Sequence, residues 1–278
     1  MKKIGFIDYF LHEWHADHFP EFIYEVSKGE MKVCYAWGEI DSPREGGFTN
    51  KEWADKLGIE LCLSQEEVIE KSDYLIVLSP DNAERHVDLC KLALVSKKPT
   101  YVDKTFAASL NDAKIIVENA ENTPFFSASA LRYDLGLQAV KKDDIEAVDC
   151  RCAGDFKIYT IHMVEPIYLL MGKAKRVLAL GNVQGPTLLF DYNDGKRAVL
   201  SFFDHDNVGF NIAIRYKDGS AALLPFDSDY FKAFTMELVS FFDTGVPSVC
   251  INDTIDIISM LDAGKKAVAN TGVWVEVV

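Results

Sequence analysis

Apolar residues in the first half of the chain fall into short continuous runs, and the stretches between them carry helical spacing. Residues 4–7, 31–37, 74–78, 100–102 and 123–127 read as strands. Residues 19–26, 51–57, 81–95 and 110–119 read as helices, the second closed by Gly58 where a helix end favours glycine. Ser64 with Glu67 three positions later predicts a capping box opening a further helix. Strands that alternate with helices imply right-handed crossovers and a doubly wound parallel α/β sheet. The wholly apolar run 74–78 suits a strand covered on both faces.

Beyond about residue 125 the pattern changes. Residues 147–153 alternate as a strand, and 160–171 form a helix stopped by Gly172. Asn193-Asp194-Gly195-Lys196 and Lys217-Asp218-Gly219-Ser220 are hairpin turns. Ile212, Ile214 and Tyr216 alternate with Ala213, Arg215 and Lys217, which marks a sheet with one wet face. Helices over 230–242 and 254–269 end the chain. The expectation is therefore a parallel α/β domain over 1–124, then an α+β domain with a largely antiparallel sheet over 125–278.

Composition narrows the function. The chain has 278 residues, 49% hydrophobic and 26% charged, enough to bury a substantial core. A net charge of -14 argues against a nucleic-acid partner, since no basic cluster interrupts it. No apolar run reaches membrane-spanning length, and the N-terminus reads as a strand rather than a signal peptide. Cys34, Cys62, Cys90, Cys150, Cys152 and Cys250 are scattered, as expected for reduced thiols in the cytoplasm.

Lys104 follows the strand 100–102 directly, and ligands of open α/β sheets bind beyond the carboxyl ends of the strands. A lysine there can orient a substrate hydroxyl or share its proton. His162 has Glu165 one turn on, an arrangement suited to acid–base work or to holding a helix end. His12, His15 and His18, with Glu13 and Asp17, admit both a metal set and plain helix-start histidines, though they do not match the His-Glu-x-x-His pattern. His86 reads as a packing or capping residue, and His205, between Asp204 and Asp206, as solvated. A dinucleotide fold places Gly-x-Gly-x-x-Gly at the first strand–helix turn. Here those positions hold Asp8, Phe10 and Glu13. Glu39 and Asp41 follow the second strand, where an acid would take a ribose diol.

Taken in order, these patterns resemble the Gfo/Idh/MocA oxidoreductases, the family of glucose-fructose oxidoreductase and inositol dehydrogenases. Ser72 to Pro80 with His86 is similar to the family's third Rossmann strand and following helix. Asp103-Lys104-Thr105 is similar to its Glu-Lys-Pro segment, Arg132-Tyr133 to its Arg-Phe, and His162-Met163-Val164-Glu165 to its His-x-x-Asp helix. Phe234 to Phe242, Gly245-Val246-Pro247 and the helix through Ala269 resemble its C-terminal ending. The chain departs from the family in its glycines, in Thr105, and in Ile158, where the family has an aspartate.

The resemblance implies an N-terminal Rossmann domain and an NAD- or NADP-dependent oxidoreductase that passes hydride between nicotinamide and a secondary alcohol of a sugar, cyclitol or related polyol. Lys104, His162 and Glu165 would be catalytic. Asp8, Tyr9, Phe10, Glu39, Ser79, Pro80, His86, Asp103 and Lys104 would meet the cofactor. Lys104, Arg132, Tyr133, Tyr159 and His162 would meet the substrate. It also implies a homo-oligomer, dimer or tetramer; the thiols suggest the cytoplasm, and the histidine spacing favours no resident metal. Two alternatives stay open: a cofactor-free sugar-binding or regulatory protein, and redox-neutral, NAD-assisted elimination or glycoside cleavage.

Overall fold

A computed structural model describes residues 1–182, 184–203 and 208–278; His205, Asp204 and Asp206 lie outside the described residues. In the first half, strands and helices alternate: β1 (Lys2–Asp8), α1 (Trp14–Val26), β2 (Met31–Gly38), α2 (Asn50–Leu57), β3 (Glu60–Leu61), α3 (Gln65–Lys71), β4 (Tyr74–Val77), α4 (His86–Val95), β5 (Thr100–Val102), α5 (Leu110–Asn119) and β6 (Phe125–Phe126). The second half runs α6 (Leu135–Gln138), β7 (Ile145–Ala153), α7 (Phe156–Tyr159), α8 (Ile161–Met171), β8 (Arg176–Leu180), β9 (Thr187–Asp191), β10 (Arg197–Phe203), β11 (Asn211–Tyr216), β12 (Ala221–Leu224), α9 (Tyr230–Thr244), α10 (Ile251–Ala269) and β13 (Val275–Glu276).

The chain forms two compact units, Met1–Ala128 with Phe234–Thr254, and Ser129–Ala233 with Ile255–Val278. The first unit runs four residues past the expected boundary at 124/125 and also takes in Phe234–Thr254. Aromatic packing explains the return of the chain. Phe234 meets Phe19 and Tyr101 at 5.8 and 5.3 Å, Phe241 meets Phe126 at 4.9 Å, and Phe242 stacks on Tyr74 at 4.8 Å. Such large buried rings dominate core energetics.

In the first unit six parallel strands run in the order β3-β2-β1-β4-β5-β6. The order reverses between β1 and β4, the crevice where ligands of such sheets bind. β4 is buried along its whole length, as its apolar run predicts. Helix starts diverge from the expectation in detail. Ser64 caps α3 by accepting from the Glu67 amide, but the Glu67 carboxylate takes the Leu63 amide. The complete capping box sits at Thr49 and Glu52, ahead of α2. Gly58 closes α2 in the left-handed region, at φ 64°.

The second unit is built on a seven-stranded sheet, β12-β11-β7-β10-β9-β8-β13. Both turn motifs form the hairpins expected of them, β9–β10 and β11–β12. The sheet is antiparallel except for the β7–β10 pair. Its buried face carries Val148, Cys150, Ala198, Leu200, Ile212 and Ile214, with α8 packed on β7 and β10.

Candidate functional site

In the first unit the residues of interest collect at the carboxyl ends of β1, β4 and β5. β1 ends on Asp8, paired with Gly38 of β2. From there the loop after β1 is joined to the loop after β2: the Glu39 amide donates to the Asp8 carbonyl and the Ile40 amide to the Tyr9 carbonyl, at 3.0 and 2.9 Å. Asn50 ties the two loops together. Its side chain accepts from the Leu11 amide at 3.1 Å and donates to the Gly38 and Ile40 carbonyls at 3.1 and 2.8 Å. A Cβ at 38 would lie 2.6 Å from the Asn50 amide group and would displace the side chain that joins the two loops. Asp41, a candidate for a ribose, accepts from the Asn50 amide at 2.7 Å.

Helix α1 begins five residues earlier than its apolar spacing suggests, because Glu13 caps it. The Glu13 carboxylate is 1% exposed and accepts from the His15 and Ala16 amides at 2.7 and 2.5 Å. These are the amides that a helix N-terminus offers to a phosphate. Around Glu13 lies a buried acid cluster. Asp8 is 1% exposed and Asp103 likewise, and His15 Nδ1 stands 3.0 Å from Asp103 Oδ2 and 3.7 Å from Glu13 Oε2. Burial, reinforced by the neighbouring acids, holds the Asp8 and Glu13 carboxyls well above the usual carboxylate range. Burial would raise Asp103 too, but His15, then Lys104 and His86, outweigh it and bring it to about 2.

These opposite shifts give opposite pH dependences. Asp103 contributes stability that is present above its unfolded pKa and lost as pH falls toward about 2. Folded Asp8 keeps a proton that the unfolded chain releases near pH 4, so stability falls as pH rises above that value. Asp8→Asn removes this penalty. Relative to wild type, the variant gains more stability at pH 8 than at pH 4 in denaturant titrations; an equal or smaller gain at pH 8 would refute the assignment.

Lys104 is 7% exposed, and its ammonium donates to the Pro80 carbonyl at 3.3 Å, beyond the ends of β4 and β5. The Lys104–Thr105 peptide is cis. His86 is completely buried, and its Nδ1 faces the Thr105 and Phe106 carbonyls at 3.0 and 3.1 Å. Burial lowers its pKa, so it is neutral and supports the Lys104 loop from behind. Ser79 adopts φ 141°, and its hydroxyl donates to the Asn82 carbonyl at 3.0 Å.

Two arginines cross the switch point. Arg85 lies over the Tyr9 ring at 5.4 Å and forks onto Glu39 at 2.7 and 2.8 Å. Arg44 lies over Phe10 at 5.3 Å and pairs with Asp81 at 2.6 Å. These pairs are part-exposed and worth about 0.2–1 kcal/mol each, so a ligand could displace them. The three helix-start histidines find different partners: His12 accepts from the Phe48 amide, His15 faces Asp103, and His18 meets the Trp14 carbonyl.

The second unit carries its own polar centre. Ser129, completely buried, donates its amide to Glu165 Oε2 at 2.7 Å and shares a hydrogen bond with His162 Nδ1 at 2.7 Å. Arg132 donates to Glu165 Oε1 at 3.2 Å, with both side chains buried. Tyr159, 39% exposed, and Phe210 each present an edge to the His162 ring at 5.6 Å. Ser129 thus joins His162 to Glu165, a link with no signature in the sequence. Tyr133 ends the same single-turn helix that carries Arg132.

The dinucleotide that the resemblance implies can be tested against this geometry. At the α1 turn the residues do not fit a pyrophosphate: the Glu13 carboxyl already fills the place before the amides. The carboxyl keeps that place whether or not it carries its proton; in the ionised form it would also repel a phosphate about 4 Å away, by about 4 kcal/mol at an effective dielectric near 20. The helix dipole returns only about 0.3–1 kcal/mol.

No family model and no curated protein matches the sequence. Solved structures do match in shape. A myo-inositol dehydrogenase from Corynebacterium glutamicum has a TM-score of 0.79 at 14% identity, covering 100% of this chain and 99% of that one. A myo-inositol 2-dehydrogenase from Lactobacillus plantarum has 0.78 at 15%, covering 100% and 99%. An oxidoreductase from Agrobacterium radiobacter, in complex with NAD+, L-tartaric acid and magnesium, has 0.77 at 15%, covering 99% and 98%. Along its whole length the chain has the fold of these dehydrogenases and oxidoreductases, the fold expected of the Gfo/Idh/MocA group.

Proposed function

We propose that the protein is an oxidoreductase interconverting a secondary alcohol and a ketone on a sugar, cyclitol or related polyol, with NAD or NADP as redox partner. The observation that carries this reading is Lys104, a buried ammonium at the carboxyl end of β5 in a sheet whose order reverses between β1 and β4. The full-length likeness to polyol dehydrogenases supports it. In this reading Lys104 is the first unit's candidate for orienting a substrate hydroxyl. In the second unit His162, held by Ser129 and oriented through the Glu165–Arg132 pair, is the candidate for proton exchange. Tyr159, Arg132 and Tyr133 belong to the substrate-facing set, as the resemblance implies.

The reading extends to a cytoplasmic protein with six free thiols and to a dimer or tetramer, with light scattering as the check on assembly. No helix of the described residues is long and apolar enough to cross a membrane.

A second reading, a polyol-binding protein without cofactor, is favoured by one observation, the Glu13 carboxyl on the α1 amides. Calorimetric titration with NAD+ and NADP+ separates the two. Saturable binding supports the oxidoreductase; binding of polyols with neither nucleotide supports the second reading.

A further inference from the structure

We infer that Glu13 is a built-in occupant of the anion seat of α1, so that any dinucleotide bound by this chain is held without its pyrophosphate resting on that helix. Three independent features of the first unit agree. The Glu13 carboxylate takes both the His15 and the Ala16 amide, the donors a phosphate needs. Asp8, 1% exposed, adds a second acid at the end of β1, in place of the glycine that lets a phosphate approach the backbone there. The loop that would have to open, residues 9–11, is hydrogen-bonded to residues 38–40 both directly and through Asn50. A glycine-rich turn leaves space at the helix start; here that space holds a carboxyl group belonging to the chain itself.

The seat is occupied, not dismantled. The amides remain in helical position, and emptying the place in front of them restores an anion site. Glu13→Gly does this; Glu13→Gln keeps the place filled, because its side-chain oxygen still accepts from an amide. The Asp8→Asn/Glu13→Gly double variant also removes the second acid.

The experiment is an ADP titration of wild type and variants by calorimetry, with the His15 and Ala16 amide resonances followed by NMR. In wild type ADP is expected to leave both resonances in place, and in Glu13→Gln likewise. Glu13→Gly binds ADP at least tenfold more tightly than wild type and shifts both amides, and the double variant binds more tightly still. Wild-type binding of ADP with shifts at these two amides overturns the inference. So does the absence of any gain in a Glu13→Gly or double variant whose amide spectrum is that of the folded protein. If both variants fail to fold, the wild-type and Glu13→Gln spectra still decide. This result is separable from the proposed function: wild type that turns over a polyol with NAD+ while both amides stay unmoved supports both readings, and wild type without turnover refutes only the earlier one.

Discussion

Lys104→Met lowers kcat/KM for the polyol by about 10²–10⁴, the range over which a positioned proton-handling or orienting side chain contributes. The effect is expected in kcat more than in KM, because the ammonium acts on charge that develops at the reacting oxygen. Folding should survive. Lys104 is 7% exposed and its ammonium donates to one backbone carbonyl, so a thioether of similar length replaces it without opening a cavity, and the buried Asp103, which loses one neighbouring cation, keeps His15 beside it. Steady-state kinetics beside a thermal melt read both effects. An unchanged rate in a folded variant removes Lys104 from the reaction.

The largest stability effect is expected at Arg132 and Glu165. Arg132→Ala leaves the Glu165 carboxylate 2% exposed without its guanidinium, and losing one partner of a buried pair costs about 3–5 kcal/mol. Removing both charges is milder, because apolar replacements of similar volume are often neutral. The Arg132→Met/Glu165→Leu double variant should therefore be more stable than Arg132→Met or Glu165→Leu alone. Denaturant unfolding of all four proteins closes the cycle. Purely additive losses would show that the two charges do not depend on each other.

Much of the architecture was legible because local rules and tertiary packing agree. Apolar runs became the strands of the parallel sheet, Asn193-Asp194-Gly195-Lys196 became a hairpin turn, and Gly58 took its left-handed position. The early start of α1 was not legible, since glutamate is not among the residues that mark a helix start and the first turn is crowded with histidine and tryptophan. Nor was the return of Phe234–Thr254 to the first unit, which rests on aromatic pairs far apart in sequence.

The site divides in the same way. Lys104 stood out because its meaning comes from the strand before it. Ser129 did not, because a lone serine acquires meaning only from the His162 ring and the Glu165 carboxylate that meet it. At the phosphate turn the missing glycines could be read directly. That Glu13 would fold back on the helix it begins could not, since a buried carboxylate depends on the acids and amides gathered around it.

The most direct measurement is turnover. The purified protein is mixed with NAD+ or NADP+ and a panel of cyclitols, sugars and other polyols, and formation of reduced nicotinamide is followed by absorbance. The account predicts reduction that requires one class of polyol and is lost in Lys104→Met. Polyol binding seen by calorimetry, with no reduction of either nucleotide by any member of the panel and no oxidation of NADH or NADPH by the matching ketones, would contradict it.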